Sequence, residues 1–420
     1  MALSTGAAPA QSNWVGKTIF GKRPGMKATT DDGMQVPLDG IDFRVLADKD
    51  GRVQVKTRQG ALGWLDKSEL VTKEEAVAYF SDLIRQNPAN TSAYNARGWA
   101  FRLIGENDAA IKDYTHLIET MPTGWVYFNN RGAVYSAMKE YDKALADYNE
   151  ALKLSPQYAR GYANRGNVWR YKKEWDKALA DYEESLRLAP GTALTILYRG
   201  LAWNGKREPH KALADLNEAL RMDPKNAEGL LGRGEAHLQL KEYLKALADF
   251  DHVLKLDPKS TNAVFGRGTA LRGLKEFDTA IREFEKVMRD EPESSRAYCL
   301  RGDAWRDRKE YSIALGDYQR AVQYDPKNAE AHNNLAWLLA ACPDASIRDG
   351  VKAVESAKIA VALEDSDEHL ETLAAAHAEA GQFDDAVRVQ IDALKRRASD
   401  EGNSRLQRYR RMQPYRFQSP

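Results

Sequence analysis

Two cysteines in 420 residues, Cys299 and Cys342, leave no means of building a disulfide framework or a cysteine-rich zinc site. Net charge is equally scarce. Lys and Arg number 62 against 61 Asp and Glu, a net charge of +1, so nothing in the overall balance favours nucleic acid or an anionic membrane. No apolar run reaches the about 18 residues that a membrane span requires. The first dozen residues, MALSTGAAPAQS, carry neither a positive stretch nor an apolar one, so the chain as given is expected in the cytoplasm. Ala8-Pro9-Ala10 has the look of a cleavage region, and an extracytoplasmic location is the alternative if a signal segment precedes this sequence.

Signatures of chemistry are also missing. Gly16-Lys17-Thr18 imitates the end of a phosphate-binding loop, but Gln11 stands where that loop needs its first glycine. The seven histidines never fall at the H-x-x-x-H spacing that sets two imidazoles on one helical face. His237 and His332 fall in apolar columns and the other five are expected at the surface. No nucleophile elbow and no isolated pair of carboxylates is present. Neither an enzyme nor a bound cofactor or metal is expected.

What the sequence has is a period. Arg-Gly pairs stand at Arg97-Gly98, Arg131-Gly132, Arg165-Gly166, Arg199-Gly200, Arg233-Gly234, Arg267-Gly268 and Arg301-Gly302, always 34 residues apart. Twelve residues after each glycine is an alanine, sixteen after it an aromatic or leucine, and twenty-four after it a proline, from Pro122 to Pro326. Small residues let two helices approach, large ones fill the space between neighbouring pairs, and proline ends the second helix. Each unit is therefore a helical hairpin. These columns resemble the tetratricopeptide repeat family. The resemblance implies a mainly α fold, a helical-hairpin solenoid wound as a right-handed superhelix.

The array extends past its regular units. Ala76, Phe80 and Pro88 keep the columns, so a lone second helix is expected in front; Ala336 and Ala374 replace the glycine behind, and two further hairpins are expected. Their sequences resemble the closing repeats of a set of bacterial members of the family. Residues 13–72 differ: VGKTIF, IDFRVLAD, RVQVKT and ALGWLDKSELV are short β-rich runs between turn residues, read as a small antiparallel β-barrel. GWLDKSELV resembles the final strands of bacterial Src-homology-3-like (SH3-like) domains, whose Gly-Trp lies on the last strand. The expected organisation is a disordered leader (1–12), the barrel (13–72), a half repeat (73–90), regular repeats (91–328), atypical repeats (329–400) and a basic cap (401–420).

Fifteen residues after each glycine stands an acid, giving the pairs Arg97 and Asp113, Arg131 and Asp147, Arg165 and Asp181, Arg199 and Asp215, Arg233 and Asp249, Arg267 and Glu283, and Arg301 and Asp317. In a hairpin whose turn is centred between them the two side chains lie at one height. A ladder of structural ion pairs is favoured over an arginine ladder for anions, because half-buried arginine wants a bidentate carboxylate.

The resemblance further implies that first helices line a groove, with the positions six, three and two before the glycine and one and four after it facing inward. Those offsets mark Asn95, Asn129, Asn130, Arg160, Asn164, Asn167 and Arg170 in the early units, then Leu194, Leu197, Tyr198, Leu201, Leu231 and Phe265 as an apolar strip. Asparagine amides both donate and accept, so such a row suits an extended peptide backbone. The lysine and asparagine pattern that family members use for a terminal carboxylate is missing. From Lys395 on, eight basic and two acidic residues give a net charge of +6, expected as a polar cap or else a contact for an anionic partner. The function implied is an adaptor that binds a protein or peptide in its groove; the alternative is a cell-envelope protein whose SH3-like domain binds cell-wall material while the repeats recruit partners.

Overall fold

Alternation of buried and exposed residues builds the first region. In β5 (Arg52–Lys56) Val53 and Val55 point into a core while their neighbours face outward, the period of two that a strand imposes. The computed structural model describes residues 13–22, 25–38, 42–57 and 60–417; the leader, 1–12, lies outside them. The other strands are β1 (Thr18–Gly21), β2 (Lys27–Thr29), β3 (Gln35–Pro37), β4 (Asp42–Lys49), β6 (Leu62–Asp66) and β7 (Leu70–Thr72). All pairings are antiparallel, in the order β3-β2-β6-β5-β4-β1-β7.

Two details differ from the sequence reading. Among the described strands β3 and β7 end the order without pairing to each other, so the barrel is a seven-stranded antiparallel sheet with two free edges. Gly63-Trp64 lies on β6, and the last strand is β7, because a short 3₁₀ turn at Lys67–Glu69 reverses the chain and lets Leu70–Thr72 pair with β1. This sheet is not walled off from the helical region. Phe20 leaves the strand core and packs with Val71, Ala76 and Phe80, its ring 6.0 Å from that of Phe80.

Helix α1 (Lys73–Gln86) starts at a capping box, in which Glu75 Oε2 accepts the Thr72 backbone N–H at 3.2 Å. Hairpins follow: α2 (Thr91–Ile104) with α3 (Asn107–Thr120), α4 (Trp125–Ala137) with α5 (Tyr141–Leu154), α6 (Ala159–Tyr171) with α7 (Trp175–Leu188), and α8 (Ala193–Gly205) with α9 (Pro209–Met222). Next come α10 (Ala227–Gln239) with α11 (Tyr243–Leu256), α12 (Thr261–Gly273) with α13 (Phe277–Asp290), α14 (Ser295–Asp307) with α15 (Tyr311–Tyr324), α16 (Ala329–Ala341) with α17 (Gly350–Leu363), and α18 (Asp367–Glu379) with α19 (Phe383–Arg396). Helix α20 (Asp400–Arg410) is the last helix among the described residues. Contacts divide it into two compact units, Met1–Thr195 and Ile196–Pro420.

The column chemistry acts inside each hairpin. A Cβ added at Gly234 would stand 2.7 Å from the Phe250 ring, so the aromatic of the second helix lies flat on the glycine of the first. First helices of successive hairpins also touch, α2 with α4, α4 with α6, α10 with α12 and α12 with α14, forming an inner layer within each unit. Most hairpin turns place a basic residue in the left-handed region, as at Lys139 with φ 62° and Lys241 with φ 59°, where the first turn uses Gly105. Of the histidines expected at the surface, His369 and His377 are buried: His369 Nδ1 meets the Glu364 carbonyl at 2.6 Å and His377 Nδ1 meets Gln382 Oε1 at 2.6 Å, contacts that make an imidazole tolerable in a core.

Candidate binding surface

The arginine column ties together the helices that carry the inner layer. Arg165 donates from Nε and Nη2 to Asp181 at 2.9 and 2.7 Å, and from Nη1 to Asn149 Oδ1 at 2.7 Å. Arg97, Arg131, Arg199, Arg233 and Arg301 make the same two-point contact with Asp113, Asp147, Asp215, Asp249 and Asp317. Arg267 reaches Glu283 at 2.5 Å through Nη2. The third arm of the guanidinium bridges backwards, to Ser81 from Arg97, to Thr115 from Arg131, to Asn217 from Arg233 and to Asp251 from Arg267. Each such arginine thus ties a first helix to its own second helix and to the second helix before it. The carboxylate bonds of Asp113 and Asp147 raise Arg97 and Arg131 above the ordinary guanidinium range. Held by these bonds, the column is a ladder of structural ion pairs between helices.

The asparagine row is a chain of bonds between first helices. Asn130 Nδ2 donates to Asn95 Oδ1 at 3.1 Å, Asn129 Nδ2 to Asn130 Oδ1 at 3.3 Å, and Asn164 Nδ2 to Asn129 Oδ1 at 3.0 Å. Asn129 and Asn130 are buried, which removes them from the set of residues a peptide can touch. Glycines and alanines in the neighbouring columns draw these helices together until the amides meet. Only the ends of the row stay accessible. Asn95 lines a cleft of about 250 Å³ with Phe43, Phe80 and Tyr127. Asn167, whose Oδ1 accepts from Tyr182 at 2.8 Å, lines one of about 390 Å³ with Arg102, Ser136, Asn164 and Tyr171.

The apolar strip is altered in the same way. Leu197 and Phe265 are 2% and 3% exposed. Leu197 packs over Gly229, Leu201 against Gly232, and the Arg296 guanidinium covers the Phe265 ring at 4.6 Å. Leu231 and Tyr198 are half-buried and only Leu194 remains well exposed, so these residues are not a continuous apolar anchor site. Arg160 is exposed, and Arg170 stacks on Tyr171 at 4.7 Å.

Two features escaped the sequence reading. In the second unit Asp303 receives the Tyr318 hydroxyl at 2.7 Å and an ion pair from Arg272, with Arg306 Nη1 at 3.3 Å. Burial opposes its charge, yet Arg272 and Arg306 hold its carboxyl below the usual range. The motif RGDAWRD contains Asp303 and Arg306, but their partner Arg272 belongs to the preceding repeat. In the first unit the opposite holds. Arg102 lies over the Trp99 ring at 4.7 Å, and its buried Nε, like the buried Trp99 Nε1, has no hydrogen-bond partner. These two donors of α2 thus have no hydrogen-bond acceptor among the described residues.

Family models for the tetratricopeptide repeat match residues 125–158 and 159–191, and 73–119 and 205–261; a further TPR repeat model matches 302–341. The chain is a tetratricopeptide repeat protein. Proteins of this family bind protein or peptide partners and serve as scaffolds. No curated protein matches the sequence. Among solved structures, yeast Tom70 is 14% identical with a TM-score of 0.51, the match covering 81% of this chain and 92% of that one. The Cut9–Hcn1 hetero-tetramer of APC/C is 17% identical with a TM-score of 0.52, over 64% of this chain and 52% of that one. A tetratricopeptide repeat protein from Parabacteroides merdae is 19% identical with a TM-score of 0.49, over 61% and 97%. These likenesses concern the fold. In this repeat protein no helix among the described residues is long and apolar enough to cross a membrane.

Proposed function

We propose that this repeat protein is a non-enzymatic adaptor whose first unit holds an extended, acidic segment of a partner protein on the inner layer of α2, α4 and α6. The observation that carries the reading is the cleft of about 390 Å³ in which the Arg102 side chain stands with Ser136, Asn164 and Asn167. A carboxylate entering this cleft pairs with the Arg102 guanidinium, which no acid among the described residues holds in an ion pair. Asn167 and Ser136, in the same cleft, bind backbone amides without reading side chains, which suits a scaffold for extended segments.

The test is selection of peptides from a random library on the full chain, followed by titration. Selected sequences should be rich in Asp and Glu, and Arg102→Gln should weaken them by about 10-fold or more, the value of a charge-assisted bond, with helicity unchanged. Peptides of no acidic bias that bind Arg102→Gln as tightly as wild type would remove the reading.

A further inference from the structure

Helix α20 is sufficient as a terminal cap: Leu406 and Tyr409 are buried, and Arg405, 5% exposed at its side chain, pairs with Glu371 at 2.6 Å and Glu401 at 2.8 Å. The chain nevertheless continues. After a left-handed residue, Met412 at φ 56°, it turns back over earlier hairpins. Tyr415 places its ring 5.7 Å from that of Trp337, Phe417 stacks on the other part of Trp337 at 6.4 Å and 16°, and Phe417 also meets Tyr311 edge-on at 6.1 Å. Between them Arg416 pairs with Glu379 at 2.6 Å, and its Nη1 approaches the Ala340 carbonyl at 3.4 Å. The Phe417 backbone N–H donates to the Ala341 carbonyl at 3.1 Å.

Trp337 and Ala340 stand one and four residues after Ala336, the two inward columns. The tail therefore lies on the inner layer of the last hairpins and not on the outward face that a cap covers. On this layer it makes aromatic contacts, a charge pair and bonds to the carbonyls at a helix C-terminus, the set by which a surface reads a short linear segment, and the Tyr415 hydroxyl also donates to Glu401 of α20 at 3.2 Å. Tyr415, Arg416 and Phe417 are each only half-buried, so one side of the segment faces solvent while Tyr415 and Phe417 rest on the apolar clusters of the last hairpins.

We propose that Trp337, Tyr311, Glu379 and the C-terminal carbonyls of α16 form a recognition seat for an aromatic-arginine-aromatic segment, and that the chain's own tail fills it as a tethered, displaceable ligand. A partner carrying the same three-residue chemistry competes for the seat. A short tether supplies an effective concentration of the order of millimolar, so a seat with an intrinsic affinity of about 50 μM is filled in cis and presents a strongly weakened affinity to an outside ligand. The seat lies in residues 196–420 and is independent of the acidic-segment reading for the first unit.

The experiment titrates a fluorescent octapeptide of the sequence 413–420 into three full-length proteins: wild type, Tyr415→Ala with Phe417→Ala, and that double variant with Glu379→Gln added. The double variant, which keeps α20, should bind about 10-fold or more tightly than wild type, and Glu379→Gln should abolish most of the gain. A chain ending at Met412 repeats the measurement with the tail absent. Binding by none of these proteins, with helicity intact, shows that the tail is a cap and overturns the proposal. Equal binding by wild type and the double variant shows that the seat is not filled in cis and overturns it as well. Arg102→Gln should leave all these affinities unchanged.

Discussion

Arg165 and Asp181 face each other across one hairpin through two parallel bonds of 2.9 and 2.7 Å, while the remaining arm of Arg165 holds Asn149 of the hairpin before. Their side chains are 22% and 8% exposed, so water screens the pair poorly. Either single alanine substitution should cost about 3 to 5 kcal/mol by leaving a charge without its partner, and the double substitution less than the sum. Arg165→Lys should not rescue, since an ammonium cannot make the two-point contact and the link to Asn149 together. Urea melts of the variants and wild type measure the coupling; additive effects below about 1 kcal/mol would mark an idle pair.

The turn lysines suggest a stabilising change. Lys139 sits at φ 62°, where a side chain costs about 1 kcal/mol and glycine nothing. Lys139→Gly should therefore be neutral to stabilising by up to about 1 kcal/mol, with the extra freedom of the unfolded glycine taking back part of the gain. Gly105→Ala, at φ 85°, should destabilise by about the same amount. Denaturation midpoints check both, and a loss of stability in Lys139→Gly would mean that the lysine side chain itself holds the turn.

Glu330 gives a pH dependence. At the start of α16 desolvation, with Asp303 and Glu368 nearby, pushes its carboxyl above the ordinary glutamate value; Arg296 and Arg272 pull the other way. A carboxyl raised by folding favours the folded state in acid and opposes it once the pH climbs past the folded value. Glu330→Gln should consequently raise the melting temperature at pH 7, and the advantage should shrink towards pH 4. A difference that is the same at both values would show that the effect is not one of ionisation.

The sequence by itself determined the hairpins, because the glycine, aromatic and proline columns each act within one or two helical turns or within a single pair of helices. It also specified which arginine faces which acid, since a turn midway between them leaves little choice of height. The tertiary structure alone decided what the inner layer has to offer. Asn129 and Asn130 looked like ligand-binding amides and are instead buried in bonds between consecutive hairpins, because the distance between neighbouring first helices is a packing outcome that no single repeat encodes. Leu197 and Phe265 are covered for the same reason. The unpartnered donors of Trp99 and Arg102 become visible only when every neighbour has been placed. The return of Tyr415 and Phe417 to Trp337, across nearly eighty residues, depends on how the last hairpins stack, a long-range geometry that local pattern does not carry.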